Sequence, residues 1–322
     1  MSTCLIVQPI HEAGLAALRA AGIEPRLARA AHMDAVALEI GDAEAVITRS
    51  AGLSAAAMDA APRLRVVASH GVGVDAIAVE HATRLGIAVV NTPGANRDAV
   101  AEHAFALMLG VAKRLADADA ATRAGDFGFK YRVPLGDVTG MRLGLVGFGG
   151  IARRVAEIAR GGFRMEVSVL SATADPADIA AAGCRPAASL DALLADSDVV
   201  SLHRTLRPET RGMIGARELG LMKRSAILVN TARGGLVDEA ALVQALQSGA
   251  IAGAGLDVYA SEDMAPDHAL LGCARALLTP HIAGSSEAAL RRTAEEAAAR
   301  IARVLAGEPD GLVNPEAWRR RR

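Results

Sequence analysis

The sequence has few aromatic residues and almost no net charge, and both scarcities narrow what the protein can bind. Five Phe, two Tyr and one Trp make up 2% of 322 residues. That is too few for the stacking platforms on which single-stranded nucleic acids lie. The formal net charge of −1 creates no overall field that attracts nucleic acid or an anionic membrane. We therefore expect neither nucleic acid nor a membrane as a partner.

Cysteine is also scarce, and its spacing argues against structural roles. Cys4, Cys184 and Cys273 are far apart, odd in number and without a C-x-x-C pair. This pattern predicts no disulfide framework and no metal site, and it fits a reducing cytoplasm. No apolar run approaches the ~20 residues that a membrane span needs, and no signal-peptide pattern opens the chain. We expect a cytoplasmic protein.

Short aliphatic runs alternate with Ala-rich helical patterns, which is typical of parallel α/β sheets. The length suits two domains at ~100–200 residues each. In the first third, the predicted strands are Cys4–Val7, Ala45–Thr48, Leu64–Ser69 and Ile87–Val90, and the predicted helices are Glu12–Ala21, Ala55–Ala60 and Ala76–Leu85. This part reads as a small doubly wound unit.

A second series of strands follows one long helical pattern, Asp98–Ala121, and a loop, Gly125–Gly140. Its predicted strands are Arg142–Val146, Glu166–Leu170, Asp198–Leu202, Ala226–Val229, Gly253–Leu256 and Leu277–Leu278. The predicted helices are Ile151–Arg160, Leu190–Ala195, Arg217–Leu221, Glu239–Ser248 and, at the end, Ser286–Ala306. Six strands with intervening helices have the size of a dinucleotide-binding fold.

A glycine fingerprint stands directly after the first strand of this second series. Gly147, Gly149 and Ala152 satisfy G-x-G-x-x-G/A between a buried-strand pattern and a helix. Gly147 allows a tight turn, Gly149 lets the backbone approach a pyrophosphate, and Ala152 permits close packing of helix and strand. The helix N-terminus adds N–H donors. In this context the motif predicts a dinucleotide cofactor.

The acidic residue that normally follows this motif by about 20 residues is missing. The second strand ends at Ser171, which offers a hydroxyl and does not repel a 2′-phosphate, and Arg204 after the next strand supplies positive charge. Two interpretations stay open. The protein accepts NADP, or it is an NAD enzyme that has lost one hydrogen bond.

Three polar residues follow strands of the second series, where ligands of open α/β sheets bind. They are Arg233, Glu262 and His281. A guanidinium can hold a carboxylate in a fork, and an imidazole can exchange a proton with a carbonyl oxygen. A carboxylate beside the imidazole would orient it. The pattern points to chemistry on a 2-oxo acid.

The sequence resembles the D-isomer-specific 2-hydroxyacid dehydrogenases, which include phosphoglycerate dehydrogenase and the glyoxylate/hydroxypyruvate reductases. Besides the fingerprint, the resemblance is carried by Gly71–Asp75, Asn91–Asn96, Ala99–Glu102, Asn230–Asp238, Gly255–Tyr259 and Thr279–Ser285. It implies two doubly wound parallel-sheet domains, with a Rossmann cofactor domain, residues 99–284, inserted in a flavodoxin-like substrate domain, residues 1–98 and 285–322. It also implies a homodimer.

The resemblance assigns roles to individual residues. His281 would be the acid/base, Glu262 its carboxylate partner, and Arg233 the group that holds the substrate carboxylate and carbonyl. Arg49 and the backbone N–H groups of Val72 and Gly73 would complete the substrate site. Contacts to NAD or NADP are expected from Gly147, Gly149, Gly150, Ile151, Ser171, His203, Arg204, Thr205, Thr231, Ala232, Arg233, Asp257, His281 and Gly284.

Departures from the family pattern and rival functions remain. Asp263 and Thr205 stand where the family commonly has Pro, so two loops are expected to differ. Glu262 argues against a formate dehydrogenase, which resembles this family but carries Gln there. The main interpretation is interconversion of a small 2-oxo acid and its D-2-hydroxy acid. A phosphoglycerate dehydrogenase and a non-catalytic, cofactor-sensing interaction protein on the same fold are the alternatives.

Overall fold

The structure is a computed structural model, and it describes residues 2–320. It consists of two compact units. One contains the chain up to Asn96 together with the segment from Gly284 onward, and the other contains Arg97–Ala283. The chain therefore leaves the first unit, forms the whole second unit and then returns.

The first unit is built on a five-stranded, wholly parallel sheet. Its strands are β1 (Ser2–Ile6), β2 (Ile23–Leu27), β3 (Ala45–Thr48), β4 (Val66–Ser69) and β5 (Ala88–Val90), and its helices in this segment are α1 (Glu12–Ala20), α2 (Met33–Glu39), α3 (Ala55–Asp59) and α4 (Val79–Leu85). The strand order β2-β1-β3-β4-β5 is the flavodoxin-like order. β3, β4 and β5 are buried throughout, because helices cover both faces of a parallel sheet.

The second unit is built on a seven-stranded parallel sheet. Its helices are α5 (Arg97–Ala112), α6 (Leu115–Arg123), α7 (Phe129–Arg132), α8 (Gly150–Phe163), α9 (Pro176–Ala181), α10 (Leu190–Asp196), α11 (Ala216–Leu221) and α12 (Glu239–Ser248). Its strands are β6 (Arg142–Val146), β7 (Glu166–Leu170), β8 (Arg185–Pro186), β9 (Val199–Leu202), β10 (Ile227–Asn230), β11 (Gly253–Leu256) and β12 (Ala276–Leu278). The order β12-β11-β10-β9-β6-β7-β8 is the Rossmann order extended by one strand.

The returning segment completes the first unit with α13 (Glu287–Ala306). Ser286 caps this helix by accepting a hydrogen bond from the Ala289 N–H, and Gly307 ends it in the left-handed conformation. Ala297, Ala298 and Ile301 on its buried face pack with the aliphatic residues of β1, β3, β4 and β5. The expected pair of doubly wound parallel α/β sheets is confirmed.

Several predicted elements differ from those observed. The single helix predicted over Asp98–Ala121 is two helices, α5 and α6, because Arg114 between them has φ 47° and its side chain bonds Asp117. α5 is buried along most of its length, whereas no residue of α6 is buried. The apolar environment therefore ends where α5 ends.

The hydrophobic pattern of the sequence does not predict elements that are short or polar. β2 reads Ile-Glu-Pro-Arg-Leu and lies at a sheet edge, so its faces are only partly buried. β8 is an exposed Arg-Pro pair that adds a seventh strand to the six predicted. The helices α2, α7 and α9 were likewise not predicted.

The loops after β3 and β4 are bound to each other. The Leu53 N–H donates to the Ala76 carbonyl at 3.1 Å, and the Ala78 N–H donates to the Leu53 carbonyl at 3.0 Å. Gly52 begins this contact with φ +71°, and a Cβ there would lie 1.9 Å from the Ala76 oxygen. Only glycine therefore fits at residue 52.

Replacing Gly52 with Ala tests this close approach. We expect Gly52→Ala to lower the free energy of unfolding by several kcal/mol, because both the positive φ and the clash with backbone must be relieved. Gly22→Ala is the matched control, since Gly22 has φ +73° but its Cβ would meet nothing within 4 Å. The control should lose only the ~1–2 kcal/mol of a left-handed L residue. Equal losses in urea titrations of the two variants would show that the contact is unimportant.

Candidate active site

The fingerprint loop lies where the strand order of the second sheet reverses. β6 pairs with β7 on one side and β9 on the other. The Gly147 N–H donates to the Leu170 carbonyl and the His203 N–H donates to the Val146 carbonyl, both at 2.8 Å. Gly147 has φ +106°, and a Cβ there would lie 2.4 Å from the His203 oxygen. The backbone conformation and the neighbouring loop therefore require glycine at residue 147, whether or not a ligand is bound.

Gly149 is a glycine for a different reason. It precedes α8 as its N-cap without any side-chain cap, and its Cβ would meet no atom of the protein within 4 Å. A Cβ at Gly149 would therefore point into open space at the start of α8. Ala152, in the first turn of α8, is fully buried. Uncapped N–H groups at a helix start favour an anion, so this cradle fits a pyrophosphate.

The end of β7 carries the expected Ser171 without an acid. Its Oγ accepts hydrogen bonds from the N–H groups of Thr173 at 3.3 Å and Ala174 at 3.0 Å, which closes a turn. Arg204, after β9, is half-buried and forms no ion pair within residues 2–320. A cation without a carboxylate partner stays available for an anionic ligand.

His203 is held as a neutral imidazole. Burial lowers its pKa to about 4, and its Nε2 lies 2.9 Å from the Ser201 Oγ. Thr205 next to it is exposed, and its carbonyl accepts a hydrogen bond from the Thr210 hydroxyl at 2.9 Å. The loop after β9 is therefore fixed by internal bonds rather than by a charge on His203.

The loop after β10 is fixed by Asn230 and by a second obligatory glycine. The Asn230 side chain accepts from the Ala232 N–H at 3.0 Å and donates to the Arg233 carbonyl at 2.9 Å. A Cβ on Gly234 would lie 1.8 Å from the Tyr259 carbonyl carbon. Thr231 Oγ1 is buried and finds no hydrogen-bond partner among the described residues. An orphaned polar atom beside Ala232 and Arg233 fits a cofactor contact.

Asp257, after β11, is a fully buried carboxylate surrounded by donors. Oδ1 accepts from the Thr279 hydroxyl at 2.6 Å and the Ile282 N–H at 2.9 Å, and Oδ2 accepts from the Ala283 N–H at 2.8 Å. Burial alone would raise the pKa of Asp257, but these bonds, together with His103, outweigh it and hold the pKa below its ordinary value. Asp257 is therefore ionised at neutral pH.

His281, after β12, is held in an unusual backbone conformation next to Glu262. Its φ is +55°, and its N–H donates to the carbonyls of Asp257 at 2.9 Å and Thr279 at 3.0 Å. Its Nδ1 is hydrogen-bonded to the Glu262 carboxylate. The two side chains are 37% and 51% exposed, so a small molecule can reach them. The sequence predicts this pair, and the structure brings it together.

The expected substrate residues of the first unit lie on neighbouring loops. Arg49, after β3, donates to the Pro9 carbonyl at 3.0 Å. The carbonyl of Gly73 accepts from Ser69 and that of Val72 accepts from Asn91, both at 2.7 Å. No hydrogen bond within residues 2–320 uses the N–H groups of Val72 and Gly73. Both donors remain available to a carboxylate.

His70, directly before this loop, is neutral and only partly satisfied. Burial, and secondly the nearby Arg49 guanidinium, lowers the pKa of His70 to about 4. Its Nε2 is buried without a partner among the described residues. Arg49 thus lies in the loop after β3, and His70, Val72 and Gly73 lie in the loop after β4, at the same edge of the first sheet.

The second unit thus carries Arg233, Glu262, His281 and all expected cofactor residues except Gly284. Gly284 belongs to the first unit, as do Arg49, Val72 and Gly73. Within residues 2–320 no cluster of three or more metal-ligating side chains occurs. In the same range, no helix is long and apolar enough to cross a membrane.

The sequence patterns do not indicate three polar residues that are hydrogen-bonded to one another at this site, which are His103, Tyr259 and Thr279. His103 on α5 lies 2.9 Å from the Thr279 Oγ1, and the Tyr259 hydroxyl donates to the Thr279 carbonyl at 2.9 Å. Burial raises the pKa of Tyr259 to about 12, so it stays a donor. The available signal was a His directly before the apolar run Ala104–Ala112 of α5.

Residues 105–283 match the family described as D-isomer specific 2-hydroxyacid dehydrogenase, NAD binding domain. A glyoxylate reductase of Aeropyrum pernix is 43% identical over 264 residues, which are 80% of this chain and 78% of that protein. A D-3-phosphoglycerate dehydrogenase of Archaeoglobus fulgidus is 36% identical over 88% of this chain and 54% of its own length.

A solved structure shares the whole fold. The NADPH-dependent glyoxylate/hydroxypyruvate reductase of Sinorhizobium meliloti, in complex with NADP and malonate, is 29% identical with a TM-score of 0.87. The match covers 100% of this chain and 99% of that one. The fold and site define an NAD(P)-dependent dehydrogenase. This chain belongs to the D-isomer-specific 2-hydroxyacid dehydrogenase family.

Replacing Gly149 tests the cofactor cradle separately from the fold. Gly149→Ala should weaken NADH or NADPH binding at least about tenfold, because its Cβ enters the space left for the pyrophosphate. The cost to α8 should stay below about 1 kcal/mol. Fluorescence titration of the bound dinucleotide and thermal unfolding measure the two effects.

Gly161→Ala is the control within the same helix. Gly161 also has open space for a Cβ, but it lies near the other end of α8. This variant should gain ~0.5–1 kcal/mol of stability and keep the wild-type Kd. A wild-type Kd in Gly149→Ala would contradict the assignment of the cradle.

Proposed function

We propose that this protein is an NAD(P)-dependent reductase that interconverts a small 2-oxo acid, of the glyoxylate or hydroxypyruvate type, and its D-2-hydroxy acid. The observation that carries the proposal is the His281–Glu262 pair, which shares one sheet edge with Arg233 and the nucleotide cradle. The 43% identity to a glyoxylate reductase supports the substrate class. We assign residues 99–284 to the cofactor domain and residues 1–98 and 285–322 to the substrate domain.

The residues of the second unit fit a nicotinamide dinucleotide. Gly149, Gly150 and Ile151 would hold the pyrophosphate at the start of α8, and Thr231 Oγ1 and the Asp257 region would face the rest of the cofactor. The nicotinamide ring supplies a hydride to the carbonyl carbon, or accepts one in reverse. The chemistry left to the protein is to bind the acid, orient it and exchange one proton.

Arg233 binds and polarises the acid. Its backbone is fixed by Asn230, and its Nη1 donates to the Ala232 carbonyl at 2.7 Å, which sets the direction of the guanidinium. The guanidinium is planar, and the geometry of its N–H donors matches that of a carboxylate. A fixed cation beside the carbonyl oxygen also stabilises the negative charge that develops there, an effect worth about 2.7–4 kcal/mol for one donor in comparable sites.

His281 exchanges the proton. Glu262 accepts from Nδ1, so the ring keeps a proton there and presents Nε2 as the atom that gives a proton to the carbonyl oxygen or takes one from the hydroxyl. Glu262 fixes the orientation of the ring. In the first unit, we assign binding of a substrate carboxylate to the N–H groups of Val72 and Gly73, with Arg49.

Removing the imidazole tests the main proposal. His281→Ala should lower kcat for glyoxylate or hydroxypyruvate reduction by about 10²–10⁴-fold, because general acid–base catalysis contributes that much. NAD(P)H should still bind. His81→Ala is the control, since His81 also pairs with a carboxylate, Asp59 at 2.7 Å, in the other unit. Absorbance of NAD(P)H at steady state measures both, and near-normal turnover without His281 contradicts its role.

We further propose that the enzyme accepts NADP. Ser171 places no negative charge against a 2′-phosphate, and Arg204 has no carboxylate partner within residues 2–320. The Sinorhizobium meliloti relative is NADPH-dependent and was solved with NADP. An Asp or Glu at residue 171 would instead favour NAD by bonding the ribose hydroxyls.

Removing the charge of Arg204, or adding a negative charge at Ser171, tests the cofactor preference. Arg204→Ala should lower kcat/KM for NADPH about tenfold or more while that for NADH stays within about threefold, since a hydrogen bond to a charged group contributes ~1.5–3 kcal/mol. Ser171→Asp should shift preference toward NADH. A wild-type enzyme that uses NADH far better than NADPH would contradict the proposal.

Two further properties belong to this proposal. The second unit exposes Leu115, Phe127, Tyr131 and Leu135 around α6 and α7, from 52% to 82%, which supports a homodimer formed through this unit. The three cysteines are free and buried, which supports a cytoplasmic location.

Phosphoglycerate dehydrogenase remains the second candidate substrate class, because the Archaeoglobus fulgidus relative is 36% identical. A phosphorylated substrate needs further cations, and Arg49 is our candidate for that role among the described residues of the first unit. A screen of glyoxylate, hydroxypyruvate, pyruvate and phosphohydroxypyruvate with both cofactors separates the two candidates.

A further inference from the structure

His103 reaches the loop that carries His281 although it lies on a helix far away in the sequence. It projects from α5, where its side chain is 17% exposed, and Nε2 lies 2.9 Å from the Thr279 Oγ1 and 3.4 Å from the Asp257 Oδ1. None of the roles assigned above uses this imidazole. It nevertheless contacts Thr279 and Asp257, and Asp257 accepts hydrogen bonds from the two N–H groups that follow the proposed acid/base.

The hydrogen-bond directions in this cluster follow from the chemistry of each group. An ionised carboxylate can only accept, so the single hydrogen of the Thr279 hydroxyl points to the Asp257 Oδ1 at 2.6 Å. The Thr279 oxygen is then an acceptor toward His103. The His103 Nε2 must therefore carry a proton, which fixes the tautomer when the ring is neutral.

The Asp257 carboxylate in turn determines the backbone around His281. It accepts the N–H groups of Ile282 and Ala283, the two residues that follow His281. These bonds hold His281 at φ +55°, a conformation that costs an L residue ~1–2 kcal/mol. If the carboxylate turned away, the bonds to Ile282 and Ala283 would be lost and the imidazole would move, because within residues 2–320 only the bonds of the His281 N–H to backbone carbonyls would remain to hold this backbone.

We propose that His103 is a positioning residue for His281, acting through Thr279 and Asp257. The inference rests on the proposed function, in which His281 exchanges the proton. His103 donates to Thr279, Thr279 donates to Asp257, and Asp257 fixes the left-handed turn. The required feature is the N–H donor at Nε2, whereas a space-filling role would need only a side chain of similar size.

Two substitutions of His103 separate the donor from the volume. His103→Phe keeps a planar ring and removes the donor, whereas His103→Gln keeps an N–H donor at the same number of bonds from the backbone. We expect kcat to fall about tenfold or more in His103→Phe while KM for glyoxylate changes less than about threefold, because placement of the proton donor is lost and the carboxylate-binding groups are untouched. His103→Gln should recover kcat to within about threefold of wild type.

The same measurement of kcat provides the control and the outcomes that would contradict the proposal. His81→Phe and His81→Gln, at an imidazole that bonds Asp59 in the other unit, should both keep wild-type kcat. A wild-type kcat in His103→Phe overturns the proposal, and so does an equal loss in His103→Phe and His103→Gln. If His103→Phe does not fold, Thr279→Val and Thr279→Ser replace the pair, with Val impaired and Ser active.

A second measurement does not depend on activity. In protein labelled with ¹⁵N-isoleucine and ¹⁵N-alanine, the amide protons of Ile282 and Ala283 should shift upfield and exchange faster in His103→Phe than in wild type or His103→Gln. Unchanged amide signals in His103→Phe overturn the positioning role. If the wild-type protein reduces no 2-oxo acid, the proposed function fails, whereas the amide signals still decide whether His103 holds this turn.

Discussion

The site depends on one buried carboxylate. Asp257 is fully inaccessible, and a charge removed from water costs several kcal/mol unless it is fully hydrogen-bonded. Thr279, Ile282 and Ala283 provide that compensation from the loop after β12, and His103 adds to it from α5. The loop that carries His281 is therefore held by its hydrogen bonds to the Asp257 carboxylate at the end of β11. Its own conformational preference does not hold it.

Local sterics and two-sided burial explain which features could be predicted from the sequence. β3, β6, β7 and β11 have the predicted bounds, because their buried residues form short runs of aliphatic and small side chains, as expected for strands covered on both faces. Gly147 could be predicted from its motif because a tight turn after a strand requires a positive φ, which is a local constraint. Its close approach to the His203 oxygen in the loop after β9 could not be predicted. The positions of Arg233, Glu262 and His281 directly after predicted strands indicate that they follow strand ends of one parallel sheet, and in the structure they follow β10, β11 and β12.

Features that depend on distant residues could not be predicted in this way. β2 contains Glu, Pro and Arg, and it becomes a strand only because β1 offers it an edge. The break between α5 and α6 depends on the left-handed conformation of Arg114, which the helical pattern of the sequence does not reveal. His103 and Thr279 are 176 residues apart, so their contact exists only once α5 packs against β11 and β12.

In both units, the loops to which we assign anion binding leave backbone N–H donors without a partner among the described residues, and they do so by the same means. In the first unit, the loop after β4 is fixed through the carbonyls of Val72 and Gly73, so that their N–H groups are left for a ligand. In the second, α8 starts at Gly149 without a side-chain cap, so that its first N–H groups are also left. Donors that are fixed before the ligand arrives need no reorganisation when charge develops, which is the condition under which such dipoles contribute most to catalysis. In the proposed function, the glycines and carbonyl bonds of these loops therefore serve the chemistry as directly as the side chains of Arg233, Glu262 and His281.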